Sequence, residues 1–205
     1  MTKGLLVVIE GINGAGKTTI IKELLDQFTL LQIPVSMYKF PNRNGINGQR
    51  IDSFLKGEIQ INSKYDVFDM FSADRESVRG YIKNDLDQGK VVICDRYVYS
   101  AIAYHIPLNI TDANKIRLYC NIIGYFDKAM PIPDMVYVIE GDHLRKRGVS
   151  KSEVFHYLGA KSSRMNAMLR KVVSLYTYKH VILKNKNGEL GETVKFIFND
   201  IRLRC

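Results

Sequence analysis

Cysteine is scarce and irregularly placed in this 205-residue sequence: Cys94, Cys120 and Cys205 are odd in number and far apart. That spacing fits neither a disulfide framework nor a paired zinc site, so a reducing compartment is expected. No apolar stretch approaches the ~18 residues of a membrane span, and the N-terminus runs into a strand-like segment without a signal-peptide cleavage pattern. The expectation is a soluble, cytoplasmic protein with no membrane partner. Internal repeats, low-complexity tracts and Pro/Gly-rich linkers are also missing, so residues 1–205 read as one domain.

What is present narrows the class further. Hydrophobic residues make up 46% of the chain, enough for one sizeable core. Thirty Lys plus Arg against 21 Asp plus Glu leave a net +9, dispersed apart from short clusters such as Arg145-Lys146-Arg147. The surplus favours an anionic partner: nucleic acid, or a small phosphorylated ligand that needs cations at particular positions.

Short apolar runs of buried-strand type occur at Leu5–Ile9, Val35–Phe40, Val91–Cys94, Met135–Ile139 and His180–Lys184. Each is followed by a segment long enough to cross back as a helix, the alternation of a parallel α/β sheet. Ile20, Ile21, Leu24, Leu25 and Phe28 recur at helical spacing after the first run. Val67, Phe68, Met70, Phe71, Val78, Ile82 and Leu86 predict one long helix ending at Gly89. Two further helices are predicted around Met165–Tyr176 and Val194–Ile201.

Between the first strand and its helix lies EGINGAGKTT, Glu10 to Thr19. Gly11, Gly16, Lys17 and Thr18 fit G-x-x-x-x-G-K-[ST] in the strand–helix context that gives this pattern meaning. Glycines let the backbone curl until its N–H groups point at phosphate oxygens, and the helix N-terminus adds positive partial charge. The ATP-binding set is therefore Gly11, Asn13, Gly14, Ala15, Gly16, Lys17, Thr18 and Thr19, with Lys17 on the β/γ phosphates and the Thr18 hydroxyl on Mg²⁺. Asp95-Arg96-Tyr97 follows the third strand directly, and in a parallel sheet that position faces the same crevice. Asp95 can approach the metal or its water, and Arg96 a bound phosphate.

These residues together resemble the thymidylate kinases, P-loop enzymes that move the γ-phosphoryl of ATP onto dTMP to make dTDP. The resemblance rests on EGINGAGKTT, Phe40-Pro41-Asn42-Arg43, Phe71-Ser72-Ala73-Asp74-Arg75, the run from Asp95-Arg96-Tyr97 through Tyr104, and Pro131-Ile132-Pro133-Asp134. It spans about residues 3 to 140 in the family's order. It implies a three-layer P-loop kinase fold, a five-stranded parallel sheet flanked by helices, and a homodimer with ATP and dTMP as ligands and no nucleic acid.

Residue roles follow from the resemblance. Arg43 would bind the dTMP phosphate, beside Phe40, and Arg96 would hold the same phosphate or bridge it to the incoming one. Phe71 would stack on the thymine while Arg75, one helical turn on, hydrogen-bonds a pyrimidine carbonyl. Ser100 and Tyr104 share a helix face, and Tyr104 resembles the tyrosine that crowds the sugar C2′. Asn13 stands where relatives usually carry a carboxylate that accepts a hydrogen bond from the 3′-hydroxyl; an amide can replace that contact without charge assistance.

Some family members carry the catalytic lid cation inside the phosphate loop, and Asn13-Gly14-Ala15 offers none. A lid-like segment near 142–156 would then supply it, Arg147 first and Arg145 second. Glu153-Val154-Phe155-His156 departs from the family pattern there, and an adenine pocket is expected near Asn185–Asn187. Two other readings use the same loop. A deoxynucleoside kinase would need a general base for a 5′-hydroxyl, and Phe-Pro-x-Arg argues against it; a nucleic-acid-binding ATPase would leave Phe71 and Arg75 unexplained.

Overall fold

The computed structural model describes residues 3–141, 162–177, 179–185 and 190–205. The lid-like segment near 142–156, with Arg145 and Arg147, lies outside the described residues, as does Asn187.

Five parallel strands form one sheet in the order β2-β3-β1-β4-β5: β1 Leu5–Gly11, β2 Val35–Lys39, β3 Val91–Asp95, β4 Met135–Glu140 and β5 His180–Lys184. All five expected strands are present. Leu6 to Ile9, Val91 to Cys94 and Val136 to Ile139 are almost wholly inaccessible, so both faces of the central strands are covered; this is why they read as continuous apolar runs. The edge strands β2 and β5 alternate half-buried and exposed positions.

Helices α1 Lys17–Leu30 and α8 Leu190–Arg202 pack on each other, and α5 Val98–His105 packs on α6 Ala113–Phe126 and α7 Ser162–Tyr176. Phe28 of α1 is fully buried, its ring centroid 5.0 Å from that of Phe198 of α8. A second, smaller apolar cluster joins Ile51 and Leu55 of α2 (Ile46–Leu55) to Val67, Met70 and Phe71 of α3 (Lys64–Glu76). That cluster carries the segment holding Arg43.

The single long helix predicted through residue 86 is in fact two, α3 and α4 (Arg79–Asp87). The Ser77 hydroxyl donates to the Asp74 carbonyl at 2.7 Å, and the Val78 N–H turns to the Arg75 carbonyl three residues back at 3.2 Å. A serine that satisfies the preceding turn with its side chain competes with helix continuation. The predicted stop at Gly89 is present, since Gly89 has φ 75° and Lys90 and Gly89 donate to the carbonyls of Asp85 and Leu86.

Because Phe28 fills a closed site between α1, α8 and the sheet, Phe28→Ala should lower unfolding free energy by about 3–5 kcal/mol. Urea or guanidinium midpoints of the two proteins measure it.

Candidate active site

The chain leaves β1 at Gly11 with φ 149°, where an added Cβ would lie 2.4 Å from the Ile139 carbonyl oxygen. Glycine is therefore required by space as well as by dihedral angle. The loop closes at Gly16, φ 94°, which precedes the first turn of α1 and leaves Thr18 and Thr19 exposed there. Gly14 is exposed and Ala15 buried. The Lys17 ammonium donates to the Gly11 and Ile12 carbonyls, each at 2.9 Å. Burial, reinforced by the nearby Arg96 cation, lowers the Lys17 pKa to about 7, while Asp95 and Glu10 oppose the shift.

Asp95 ends β3 opposite this loop. Its Oδ2 lies 3.5 Å from the Lys39 ammonium, and its Oδ1 is buried without a hydrogen-bond partner among the described residues. A buried carboxylate oxygen left unpaired beside a lysine-bearing phosphate loop suits a divalent cation. No group of three or more acidic, His or Cys side chains gathers around a metal-sized site among the described residues. Mg²⁺ in phosphoryl-transfer sites takes one or two protein oxygens and the rest from phosphate and water, so Asp95 with Thr18 is a donor set that fits it.

Arg96 has φ 69°, an uncommon conformation for a residue with a side chain. Its N–H donates to the Ile9 carbonyl. The guanidinium reaches two ways: Nη2 donates to Asn13 Oδ1 at 2.6 Å, and Nη1 to Ser100 Oγ at 3.1 Å and toward Tyr104 Oη at 3.5 Å. It also lies over the Tyr104 ring, 5.4 Å from its centroid. The structure thus brings Lys17, Asp95, Arg96, Asn13, Ser100 and Tyr104 into one crevice.

Glu10 holds this assembly together. Its buried carboxylate accepts from the Tyr97 and Ser100 N–H groups at 2.9 and 3.1 Å, and from the Ser100 hydroxyl, tying the end of β1 to the first turn of α5. Burial raises its pKa; the Arg96 cation and these donors work against that rise. Only its place at the head of the loop motif pointed to it in the sequence.

The other half of the crevice is built on α3. Asp74, 1% exposed, accepts from the Asn42 N–H at 2.9 Å, and Asn47 Nδ2 donates to the Ala73 carbonyl at 3.1 Å. These bonds fasten the Phe40–Arg43 turn to the helix. Burial raises the Asp74 pKa, against the pull of the Asn42 N–H and Arg75. Arg43 is more than half exposed and pairs with Asp52 at 3.1 Å. Phe40 is buried, with its ring 6.2 Å from that of Tyr97. Arg75 is buried and makes a fork to Asp127, Nε to Oδ1 at 2.8 Å and Nη2 to Oδ2 at 2.7 Å. Phe71 meets the His105 ring edge-on at 5.5 Å, and Phe68 meets it at 4.8 Å.

Asn185, expected at the adenine pocket, lies against the phosphate loop: its Nδ2 donates to the Ala15 carbonyl at 2.7 Å, and a Cβ on Gly16 would collide with that nitrogen. Sequence reasoning missed Lys39, His105 and Asp127, each of which meets a partner distant in the chain, and gave Asp74 no role within the Phe71–Arg75 motif.

A parallel sheet with a glycine-rich, lysine-bearing loop at the end of its central strand, faced by an Asp-Arg pair, defines a P-loop kinase. A family model described as thymidylate kinase matches residues 9–194, and the chain belongs to the thymidylate kinase family. A viral relative from Invertebrate iridescent virus 6 is 40% identical over 105 residues, 51% of this chain and 49% of its own. Thymidylate kinase of Leptospira interrogans serogroup Icterohaemorrhagiae serovar copenhageni is 27% identical over 209 residues, 98% of this chain and 97% of its own. The chain thus spans about half the length of the first and nearly all of the second. The thymidylate kinase structure from Candida albicans shares the fold, with a TM-score of 0.79 at 22% identity over 98% of this chain and 92% of that one. The family match favours neither the deoxynucleoside kinase nor the nucleic-acid ATPase reading. No helix among the described residues is long and apolar enough to cross a membrane.

His105 generates a pH prediction. Burial, and secondarily the Arg75 cation, lowers its pKa to about 4, against a hydrogen bond to the Ala101 carbonyl. The folded protein keeps the imidazole neutral where the unfolded chain protonates it near pH 6.5, so stability falls as pH drops from about 6.5 to 4. The loss attributable to this group is on the order of 3 kcal/mol. Thermal denaturation across that window should show a steeper decline for the wild type than for His105→Gln.

Proposed function

We propose that this chain is a thymidylate kinase, transferring the γ-phosphoryl of ATP to dTMP to form dTDP for dTTP synthesis. The observation that carries the reading is the Arg96 guanidinium, held between Asn13 of the phosphate loop and Ser100 and Tyr104 of α5. It is one fixed cation positioned where a donor phosphate on the loop and an acceptor phosphate on the opposite side would meet. An acceptor that is already an anion needs cations more than it needs a general base.

In this reading the loop N–H groups from Gly11 to Thr19 cradle the ATP phosphates, and Lys17 leaves its carbonyl partners for the β/γ oxygens. Exchange of two neutral acceptors for phosphate oxygens offsets the cost of holding the ammonium in a buried place. Thr18 and Asp95 would hold Mg²⁺, which supplies charge neutralisation on the phosphates. Arg43 leaves Asp52 to clamp the dTMP phosphate, beside Phe40. Phe71 stacks on the base, Arg75 reads its carbonyl edge, and Tyr104 with Ser100 flanks the sugar. Asn13 contacts the sugar through an amide whose oxygen also accepts from Arg96. Arg147, with Arg145, supplies the lid cation. The chain acts as one domain, as a homodimer, in the cytoplasm.

ATP consumption measured with dTMP, with thymidine and with single-stranded DNA tests the proposal. Turnover with dTMP alone is expected; turnover with thymidine or DNA in its place overturns it.

Arg43→Ala should raise the KM for dTMP by roughly 10- to 100-fold, the worth of a charged hydrogen bond, with little change for ATP. Steady-state kinetics varying each substrate measures both, and equal losses would remove Arg43 from the acceptor subsite.

A further inference from the structure

Arg75 and Asp127 form an ion pair in which each side chain is 3% exposed or less. Both carboxylate oxygens are engaged by the fork, and Ser72, on the preceding turn of α3, donates its hydroxyl to the Phe126 carbonyl at 2.6 Å and lies 3.2 Å from Asp127 Oδ1. The carboxylate sits just past the end of α6, so α6 and α3 are joined through it. Burying two full charges costs about as much as their attraction returns, and an apolar pair of equal volume would join the helices as well. What the apolar pair would not do is fix the plane of a charged, donor-only group.

That plane is determined by the fork. With Nε and Nη2 committed to the carboxylate, Nη1 and its two N–H groups are directed away from it. Arg75 lies one helical turn after Phe71, whose ring abuts His105, so the guanidinium borders the same apolar wall.

We propose that Asp127 is a positioning residue for base selection: it locks Arg75 so that the outer edge of the guanidinium faces the acceptor base and accepts only a pyrimidine with a carbonyl at position 4. This rests on the reading of Arg75 as the base-edge donor. A rigid edge carrying donors alone pairs with a carbonyl oxygen and opposes the N–H of an exocyclic amine, whereas a guanidinium free to rotate discriminates less.

The test compares kcat/KM for dTMP and for 5-methyl-dCMP, which keep the methyl group and differ at position 4. It uses wild type, Asp127→Asn and Arg75→Gln, with the KM for ATP and the melting temperature of each protein. Asp127→Asn keeps shape and one acceptor oxygen but removes the charge and half of the fork. It should cut the preference for dTMP roughly 10-fold, mostly through the KM for dTMP, while the KM for ATP stays within about twofold. If Asp127→Asn does not fold, Ser72→Ala, which removes one brace from the carboxylate, should shift the preference in the same direction by a smaller factor. A preference unchanged by Asp127→Asn but lost in Arg75→Gln, or a parallel rise in both KM values, reduces Asp127 to a structural role and overturns the proposal. A preference unchanged even by Arg75→Gln removes Arg75 from the base edge, and the positioning role with it.

Discussion

The Glu10 carboxylate is the constraint on which the rest of the site depends. It belongs to β1, the central strand, yet its hydrogen bonds are spent on Tyr97 and Ser100, some ninety residues later in the chain. Those bonds satisfy N–H groups at the start of α5 that have no partner within the helix. With the Arg96 N–H bonded to the Ile9 carbonyl, they also hold the left-handed Arg96 backbone in place, and its side chain reaches Asn13 of the loop. Position and strain are linked here: a residue in an uncommon dihedral region persists where its surroundings over-determine it. The phosphate loop and α5 are thereby tied together by one buried anion.

A second theme is how the fold uses carboxylates as brackets for cations that would otherwise swing. Asp127 holds Arg75, Asp52 holds Arg43, and Asp95 lies beside Lys39. The three differ in burial, and burial sets what each can do. The Arg75 pair is sealed and keeps its geometry. Arg43 and Lys39 are more than half exposed, so their pairs are screened and weak, and either cation can leave its partner at small cost. A rigid cation and two adaptable ones thus come from the same residue types at different depths.

The strands and the phosphate loop were readable in the sequence because their causes are local. A strand covered on both faces must be apolar at consecutive positions, and a loop that wraps phosphate must have glycine where φ is positive and space is closed, as at Gly11 and Gly16. The break between α3 and α4 was not readable: hydrophobic spacing continues through it, and a single serine hydroxyl decides the matter. For Asp127, Asp74 and Asn185 it was the partner that stayed hidden. They act on residues 52, 32 and 170 positions away, and nothing in the spacing of one chain shows which carboxylate or amide will meet which partner in the fold. The family resemblance pointed to Arg43, Phe71 and Arg75, but the groups that hold them are visible only in the fold.

Asn13 shows how these levels join. A carboxylate at that position would stand against Arg96 and offset its charge. The amide oxygen takes the same hydrogen bond at 2.6 Å but leaves the guanidinium charge in place. The loop from Asn13 to Ala15 contributes no cation of its own, and Glu10 and Asp95 already act on the Arg96 charge, so a further carboxylate at position 13 would offset it more. The neutral residue in the loop and the fully charged arginine opposite it are therefore one electrostatic arrangement, and Glu10 keeps its two halves in register.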